Sequence, residues 1–570
     1  MYSVLSATAF FLATSSALAH PTTHSEDPAV HIKNGTIVGK HVESYGQDQF
    51  LGIPYAQPPM GDLRFNLPQP LNQTWDAPLN ATDYGPMCVN YLLPIILDPK
   101  DITYPQSEDC LTVNVVRPAG TTSESKIPVL AFIHGGGYQE GGSSDGRYNT
   151  SFMVQNSVKM EQPTIMVTFN YRLQGFGFLP GDEVRGQGLL NLALRDQRLA
   201  LSWIQENIGA FGGDSKKVTI QGESVGAISV GYHLLAYGGR DDGLFQAAIC
   251  ESGGPWYFGT YHSSETNEAT YQSVLAATNC TDAHDTLSCL RTAPFDVLNT
   301  TFSALADEFP FLPTVDGMLV PEYNSVALAN NKFVKVPLLI GANTDEGKIF
   351  SGTGVNTSEE FRAYIEQYPY TYTSNNQTVD LLMEAYPYPG SNSTHGQSDD
   401  TITPPSPYGA QFMRVARYTG DLMFIAGRRY TCEVWTNNGV PCYSYRFNTI
   451  PGTVDPVTYG ATHYQDIYFV FDDVIGTGLD ESVYNVTPLA REKRYEELGQ
   501  LMSRMWMSFA GTHSPNHHKI ESFKTIWPQY ALDAPKNMVF DGNTTSFVEN
   551  DDWRTDALKL IIDSAMDFSR

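Results

Sequence analysis

The sequence predicts an α/β protein built on a large, mixed but mostly parallel sheet with helices on both faces. Three observations carry this reading. First, short apolar runs end abruptly in glycine and polar groups. Ile127–Ile133 runs into His134-Gly135-Gly136-Gly137-Tyr138, and Thr164–Phe169 into Asn170-Tyr171-Arg172. Phe245–Cys250 runs into Glu251-Ser252-Gly253-Gly254, and Leu338–Ile340 into Gly341-Ala342-Asn343-Thr344-Asp345-Glu346-Gly347. Parallel strands whose loops gather at their carboxyl ends read this way, and ligands of open α/β sheets bind at those ends. Second, Asn191–Asn207 places Leu199, Trp203 and Ile204 at helix spacing. Third, Val218–Ser229 reads V-T-I-Q-G-E-S-V-G-A-I-S: strand alternation, a glycine-flanked turn, then the apolar run Val230–Leu235. That is a strand–turn–helix unit.

The remaining elements follow in order. Asn34-Gly35 between alternating residues predicts a hairpin and an antiparallel edge at the start of the sheet. Residues 355–435 are mostly helical in pattern, for instance Phe361–Tyr368 and Phe412–Arg428. No linker bounds them, so they are expected as a helical insertion in one domain spanning 20–570.

Composition narrows the class. The 570 residues can bury a large core, and the net charge of −27 with no basic block excludes a nucleic-acid binder. Residues 1–19 end in Ala17-Leu18-Ala19 after an apolar stretch, the pattern of a signal peptide cleaved before His20, although no Lys or Arg follows Met1. N-x-S/T acceptor sequences stand at Asn34, Asn72, Asn80, Asn149, Asn279, Asn299, Asn356, Asn376, Asn392, Asn485 and Asn543. The seven cysteines form no CxxC or zinc-ligand spacing, so disulfides in an oxidising compartment are expected and no metal or cofactor is. No second apolar run reaches the ~18 residues of a membrane span. A secreted glycoprotein is the expectation.

Candidate chemistry centres on Ser224. Composition alone yields a G-x-S-x-G match on the order of 0.2 times in a chain this long. Here there are two, and Gly142–Gly146 lies in a Gly/Ser-rich loop without strand or helix, so it is read as an accident. A serine nucleophile needs a base, a carboxylate to orient that base, and donors for the oxyanion. After Ser224 the chain offers Glu346, with Asp345 beside it as a competitor that spacing does not eliminate, and then His463, one of 13 histidines.

Several blocks together resemble one family: F-L-G-I-P-Y-A-Q-P-P from Phe50, E-D-C-L-T-V-N-V from Glu108, H-G-G-G-Y from His134, N-Y-R-L from Asn170, and Leu194–Asp214. G-E-S-V-G, T-D-E-G from Thr344 and T-H-Y-Q-D-I from Thr462 complete the set. These are similar to the type-B carboxylesterase/lipase family of α/β-hydrolases, from about residue 30 to beyond 540. The resemblance implies an α/β-hydrolase fold, with Ser224 as nucleophile, Glu346 as triad acid in preference to Asp345, and His463 as general base. It implies oxyanion donors at Gly136, Gly137 and Val225, and a supporting hydrogen bond from Ser252 to the acid. Val225 departs from the alanine usual at its place. The backbone N–H is the working group, so the valine is expected only to narrow the mouth of the acyl site. The resemblance also implies pairing of Cys88 with Cys110 and of Cys280 with Cys289. Cys250 is expected as a free buried thiol, and Cys432 and Cys442 are left to pair with each other.

In lipase-like relatives the Cys88–Cys110 loop carries the lid. Here 21 residues lie between the cysteines, with Pro94, Asp98, Pro99, Asp101 and Pro105 discouraging a helix and no tryptophan of the kind cholinesterases use for choline. The sequence thus favours a carboxylesterase acting on soluble or short-to-medium-chain esters. A triacylglycerol lipase is the first alternative and a non-catalytic cholinesterase-like binding protein the second. Nothing in the sequence addresses the oligomeric state.

Overall fold

The computed structural model describes residues 27–91, 104–256, 259, 261–368, 372–387 and 406–570. The signal-peptide segment 1–19, Asn392 and most of the expected lid loop (92–103) lie outside the described residues.

An eleven-stranded sheet forms the frame. In chain order its strands are β1 (Lys40–Val42), β2 (Gln47–Pro54), β3 (Thr112–Pro118), β4 (Ile127–Ile133), β5 (Ile165–Phe169), β6 (Gly213–Glu223), β7 (Ala247–Glu251), β8 (Leu338–Asn343), β9 (Cys442–Phe447), β10 (Lys536–Phe540) and β11 (Phe547–Asn550). Their spatial order is β11-β10-β9-β8-β7-β6-β4-β5-β3-β2-β1. The run from β10 to β5 is parallel, and antiparallel pairs close both ends. Central strands such as β4, β5 and β7 are buried along nearly their whole length, as parallel strands covered on both faces must be.

The Asn34-Gly35 hairpin forms, with Ile32 opposite Gly35, but it does not edge this sheet. It pairs with Leu79–Asn80 in a separate three-stranded sheet, and β1 and β2 take the edge instead. A local turn signal fixes a hairpin and says nothing about which sheet it joins.

Helices α1 (Ser151–Lys159), α2 (Leu192–Asn207), α3 (Val225–Gly239), α4 (Ser358–Gln367), α5 (Asn376–Ala385), α6 (Phe412–Gly420), α7 (Ala426–Asn437), α8 (Leu489–Thr512) and α9 (Thr555–Asp563) cover it. One apolar core joins α2 and α3 to one face of the sheet, through Leu194, Ile204, Ile228 and Val230 against Val129, Ile220 and Ala248. The other core seats α1 and α8, through Met153, Met502 and Trp506 against Leu130, Ile249 and Tyr445. The expected helical insertion divides by its packing. Helices α4, α5 and α6 share a cluster of their own with α9, built on Phe361, Leu382, Tyr418 and Leu558. Helix α7 touches that cluster through Ala426 and also packs on β8 and β9 as the crossover that two parallel neighbours require.

Disulfides join Cys88 to Cys110, Cys280 to Cys289 and Cys432 to Cys442, while Cys250 is a buried free thiol. Closing loops of these lengths contributes on the order of 3 kcal/mol each in the chain-entropy account. Among the acceptor asparagines, Asn72, Asn80, Asn279, Asn356, Asn376, Asn485 and Asn543 are exposed, and Asn149 and Asn299 are partly buried. Asn34 is buried and its Nδ2 donates to Gln73 O at 2.6 Å, so the folded chain has no room for a glycan there. No helix among the described residues is long and apolar enough to cross a membrane.

Candidate active site

Strand β6 ends at Glu223 and helix α3 begins at Val225, so Ser224 alone makes the turn. Its backbone is held at φ 55°, ψ −126°, a conformation L-residues adopt only when their surroundings impose it. Gly222 and Gly226 make the turn feasible. A Cβ on Gly222 would come within 2.3 Å of the Gly226 carbonyl carbon, and one on Gly226 within 2.1 Å of Ile133 O. The Ser224 N–H donates to Glu251 O at 2.9 Å, which ties the elbow to β7. Gly142–Gly146, the second pattern match, is a structural loop: Ser143 bonds Asn114 and Asn170, and Asp145 caps a short helical turn through Arg147 N.

The glycine loop leaves β4 beside this elbow. Gly136 and Gly137 sit at φ 95° and 63°. Among the described residues neither amide enters a backbone hydrogen bond, while Gly136 O accepts from Gln139 N and Glu140 N, both at 2.9 Å. Val225 opens α3, where an N–H has no carbonyl partner within the helix. His134 anchors the loop: its ring stacks on Tyr171 at 4.4 Å, and Tyr171 Oη donates to His134 O at 2.7 Å. Burial pushes the His134 imidazole down to about 4, so it is neutral and serves packing, not proton transfer.

Glu346 follows β8, and His463 lies in the loop after β9. His463 Nδ1 is 2.7 Å from Glu346 Oε2. The other carboxylate oxygen, Oε1, accepts from Ser252 Oγ and from Asn343 N, both at 2.6 Å. With Glu346 accepting, the imidazole proton sits on Nδ1 and Nε2 is left as a base. Nε2 lies 3.3 Å from Glu223 Oε1 without a hydrogen-bonding geometry, and no hydrogen bond joins it to Ser224 Oγ. Such contacts often tighten only with substrate bound. The rings of Phe350 and Phe424 flank the imidazole at 4.9 and 4.7 Å. Ser224 and His463 are each 7% exposed and Glu346 1%, so all three lie below the protein surface.

The choice between adjacent acids, open from spacing, is made by direction. Asp345 Oδ2 accepts from Ala461 N at 2.9 Å and pairs with Lys348 at 3.2 Å, fixing the backbone of the histidine loop. Glu346 meets the ring itself.

Three buried carboxyl groups act on the imidazole, Glu346, Glu223 and Asp466, and a fourth, Glu251, acts on Glu223 and Asp466. Burial pushes the Glu223 carboxyl well up, reinforced by Asp466, Glu251 and Glu346 and opposed by Arg147. Glu251 is pushed up chiefly by burial, against bonds from Trp506 and Gln221 Nε2. Burial also raises Asp466, to about 6, although Tyr445 Oη and Asn343 Nδ2 donate to it at 2.7 and 3.2 Å. Glu223, Glu251, Asp466, Asn343, Phe350 and Phe424 were not singled out from sequence. Glu223 and Asp466 did carry a signal, as the variable residue of G-x-S and the third residue after His463. Phe424 carried none, because a π-helical segment (Asp421–Ile425) between α6 and α7 presents it.

This sheet, its elbow and the groups gathered at its carboxyl edge define an α/β-hydrolase. The family model of the carboxylesterase family matches residues 26–555, and the chain belongs to that family of carboxylic ester hydrolases. Lipase 2 of Diutina rugosa is 33% identical, over 95% of this chain and 97% of its own length. Secreted triacylglycerol lipase LIP1 of Gibberella zeae is 32% identical, over 94% and 90%. Among solved structures, Aspergillus niger EstA superposes with a TM-score of 0.80 at 29% identity, covering 96% of this chain and 100% of its own. A PNB esterase gives 0.73 at 28% identity, covering 94% and 100%.

Proposed function

We propose that this protein is a secreted serine carboxylesterase. His463 Nε2 takes the Ser224 hydroxyl proton as Oγ attacks the ester carbonyl, and the amides of Gly136, Gly137 and Val225 hold the developing oxyanion. Collapse expels the alcohol, which leaves with the proton from His463. Water then repeats the cycle on the acyl-enzyme. Glu346 holds Nδ1–H and stabilises the imidazolium that forms at each step. The observation that carries the reading is the 2.7 Å contact between His463 Nδ1 and Glu346 Oε2 at the edge where Ser224 stands. Its test is Ser224→Ala with a p-nitrophenyl ester: kcat should fall by about 10⁶, as for the nucleophile of a comparable triad. Hydrolysis that survives the change would sink the assignment.

Short-to-medium-chain or small soluble esters are the proposed substrates, supported by the short, proline-broken Cys88–Cys110 loop and the likeness to esterases of known structure. The names of the sequence relatives favour a triacylglycerol lipase as second reading. Tributyrin separates the two: an esterase shows no jump in rate when substrate passes from solution into emulsion, and a lipase does. The terminal Ala17-Leu18-Ala19 pattern, three disulfides and relatives named as secreted support export. A culture-medium form beginning at His20 would be found by N-terminal sequencing.

A further inference from the structure

A buried chain of hydrogen bonds ties the glycine loop to the helix behind Ser224, and the reaction scheme above makes no use of it. Tyr138, next after Gly137, has φ 59°, the third consecutive residue on the left-handed side. A tyrosine there needs to be held. Its Oη lies 3.1 Å from Ser229 Oγ on α3, four residues beyond Val225. Ser229 Oγ accepts from Gln197 Nε2 on α2 at 3.1 Å, and Gln197 Oε1 accepts from His233 Nε2, again on α3, at 2.9 Å. All four side chains are buried.

The polarity of the chain is set from its far end. Burial, with Arg198 nearby, pushes the His233 imidazole well down, so the ring is neutral; Gln197 Oε1 accepts from it, which places the proton on Nε2. The glutamine amide is thereby oriented, and its N–H fixes the Ser229 hydroxyl. The Tyr138 ring already packs against Phe178 at 4.7 Å, so filling this space needs no hydroxyl. A buried hydroxyl costs stability unless it is bonded, and here it is bonded to the helix that carries the other oxyanion amide. The two backbone segments that must converge on one oxygen, residues 136–137 and residue 225, are thus bridged by a buried hydroxyl pair.

We propose that Tyr138, Ser229, Gln197 and His233 are positioning residues that set the spacing between the Gly136 and Gly137 amides and the Val225 amide. They act on the tetrahedral intermediate and not on binding of the planar ester. This inference rests on the reading that those amides hold the oxyanion.

The test uses the full-length enzyme with Tyr138→Phe, Ser229→Ala and the double variant. The readouts are kcat and KM on p-nitrophenyl butyrate, the inhibition constant of n-butylboronic acid, which forms a tetrahedral adduct on a serine nucleophile, and Tm. Displacements near 1 Å cost up to about 10²-fold, so Tyr138→Phe should lower kcat by about ten- to a hundredfold. KM should stay within about twofold, and boronate affinity should fall by the same factor as kcat. The double variant should be no worse than Ser229→Ala alone, because both act through one link. The proposal is overturned if kcat for Tyr138→Phe stays within about twofold of the parent, or if kcat falls while boronate affinity does not. Should Ser229→Ala fail to fold, Tyr138→Phe decides alone. An unaffected Tyr138→Phe beside an inactive Ser224→Ala removes only this inference; an active Ser224→Ala removes the oxyanion reading beneath it.

Discussion

Two buried charged assemblies of this molecule are built on opposite principles. Around Asp551 opposite charges are paired: Arg428 and Arg429 both bond its carboxylate, at 2.6 and 2.9 Å, and Tyr530 Oη donates at 2.8 Å. Burial alone would push that carboxyl up, but the two guanidinium groups hold it well below its ordinary range. Around His463, Glu223, Glu346 and Asp466 crowd the imidazole with Glu251 behind them, no arginine or lysine pairs directly with any of the four among the described residues, and both oxygens of Glu223 lack partners. The first arrangement locks α7 to the strand end beyond β11. The second leaves polar groups under-satisfied at the carboxyl edge of the sheet, where the proposed reaction takes place. The first is built for stability and the second fits the proposed chemistry.

Glu346→Gln should break the contrast most sharply on the reactive side. The isostere keeps volume but no longer fixes the Nδ1–H tautomer, and in the comparable serine-protease change kcat fell about 10⁴-fold. The same order of loss is expected in kcat, with Tm nearly unchanged. A parallel fall in Tm would make Glu346 part of the scaffold.

Asp551→Ala should do the reverse. It strands two buried guanidinium groups, and breaking such a pair from one side costs about 3–5 kcal/mol. At the usual unfolding entropy per residue, a chain this long moves by about 1 °C per kcal/mol, so calorimetry should show a drop of about 3–5 °C. The folded fraction should keep its kcat/KM. Loss of activity at temperatures well below the transition would mean that the two assemblies are coupled.

The sequence disclosed the reactive assembly more fully than the scaffold, for a physical reason. Ser224 sits in a turn that only glycine neighbours permit, and the glycine loop and D-E-G motif follow strand ends, so backbone constraint writes itself into local pattern. Asp345 against Glu346 was a different matter. Both stand at the end of β8, and only the fold shows one turned to Ala461 and the other to His463. Asp551 with Arg428 and Arg429 had no local signature, because its partners lie more than 120 residues apart along the chain. The sheet assignment of the Asn34-Gly35 hairpin failed for the same reason: pairing across distance is decided by tertiary packing.

A third site sharpens the contrast through pH. Asp473 is buried, with no cation paired to it among the described residues and its Oδ1 accepting from Thr477 at 3.0 Å, and burial raises its carboxyl to about 7. The unfolded group titrates near 4, so between pH 4 and 7 the native state holds a proton that the unfolded state has released. Stability therefore falls as pH rises through that window, and the cost is fully present above pH 7. Asp473→Asn should raise Tm by a few degrees at pH 8 and by nothing near pH 4. An equal gain at both values would point to packing and not to charge.

The smallest expected effect is the most discriminating for the reactive assembly. Glu223 faces His463 Nε2 at 3.3 Å, close enough that an ionised carboxylate would stabilise the imidazolium formed during catalysis. Yet burial and three neighbouring acids push its carboxyl well up, toward the uncharged form. Where that form holds at pH 7, Glu223→Gln replaces one neutral hydrogen-bonding group by another of the same shape, and kcat/KM should change by less than about tenfold. If Glu223 were ionised in the resting enzyme, the same change would remove a full negative charge beside the base, lower kcat/KM by about 10² or more, and shift the acid limb of the pH–rate profile. Measuring that limb in both proteins separates the cases, because a neutral Glu223 predicts that the two limbs superimpose.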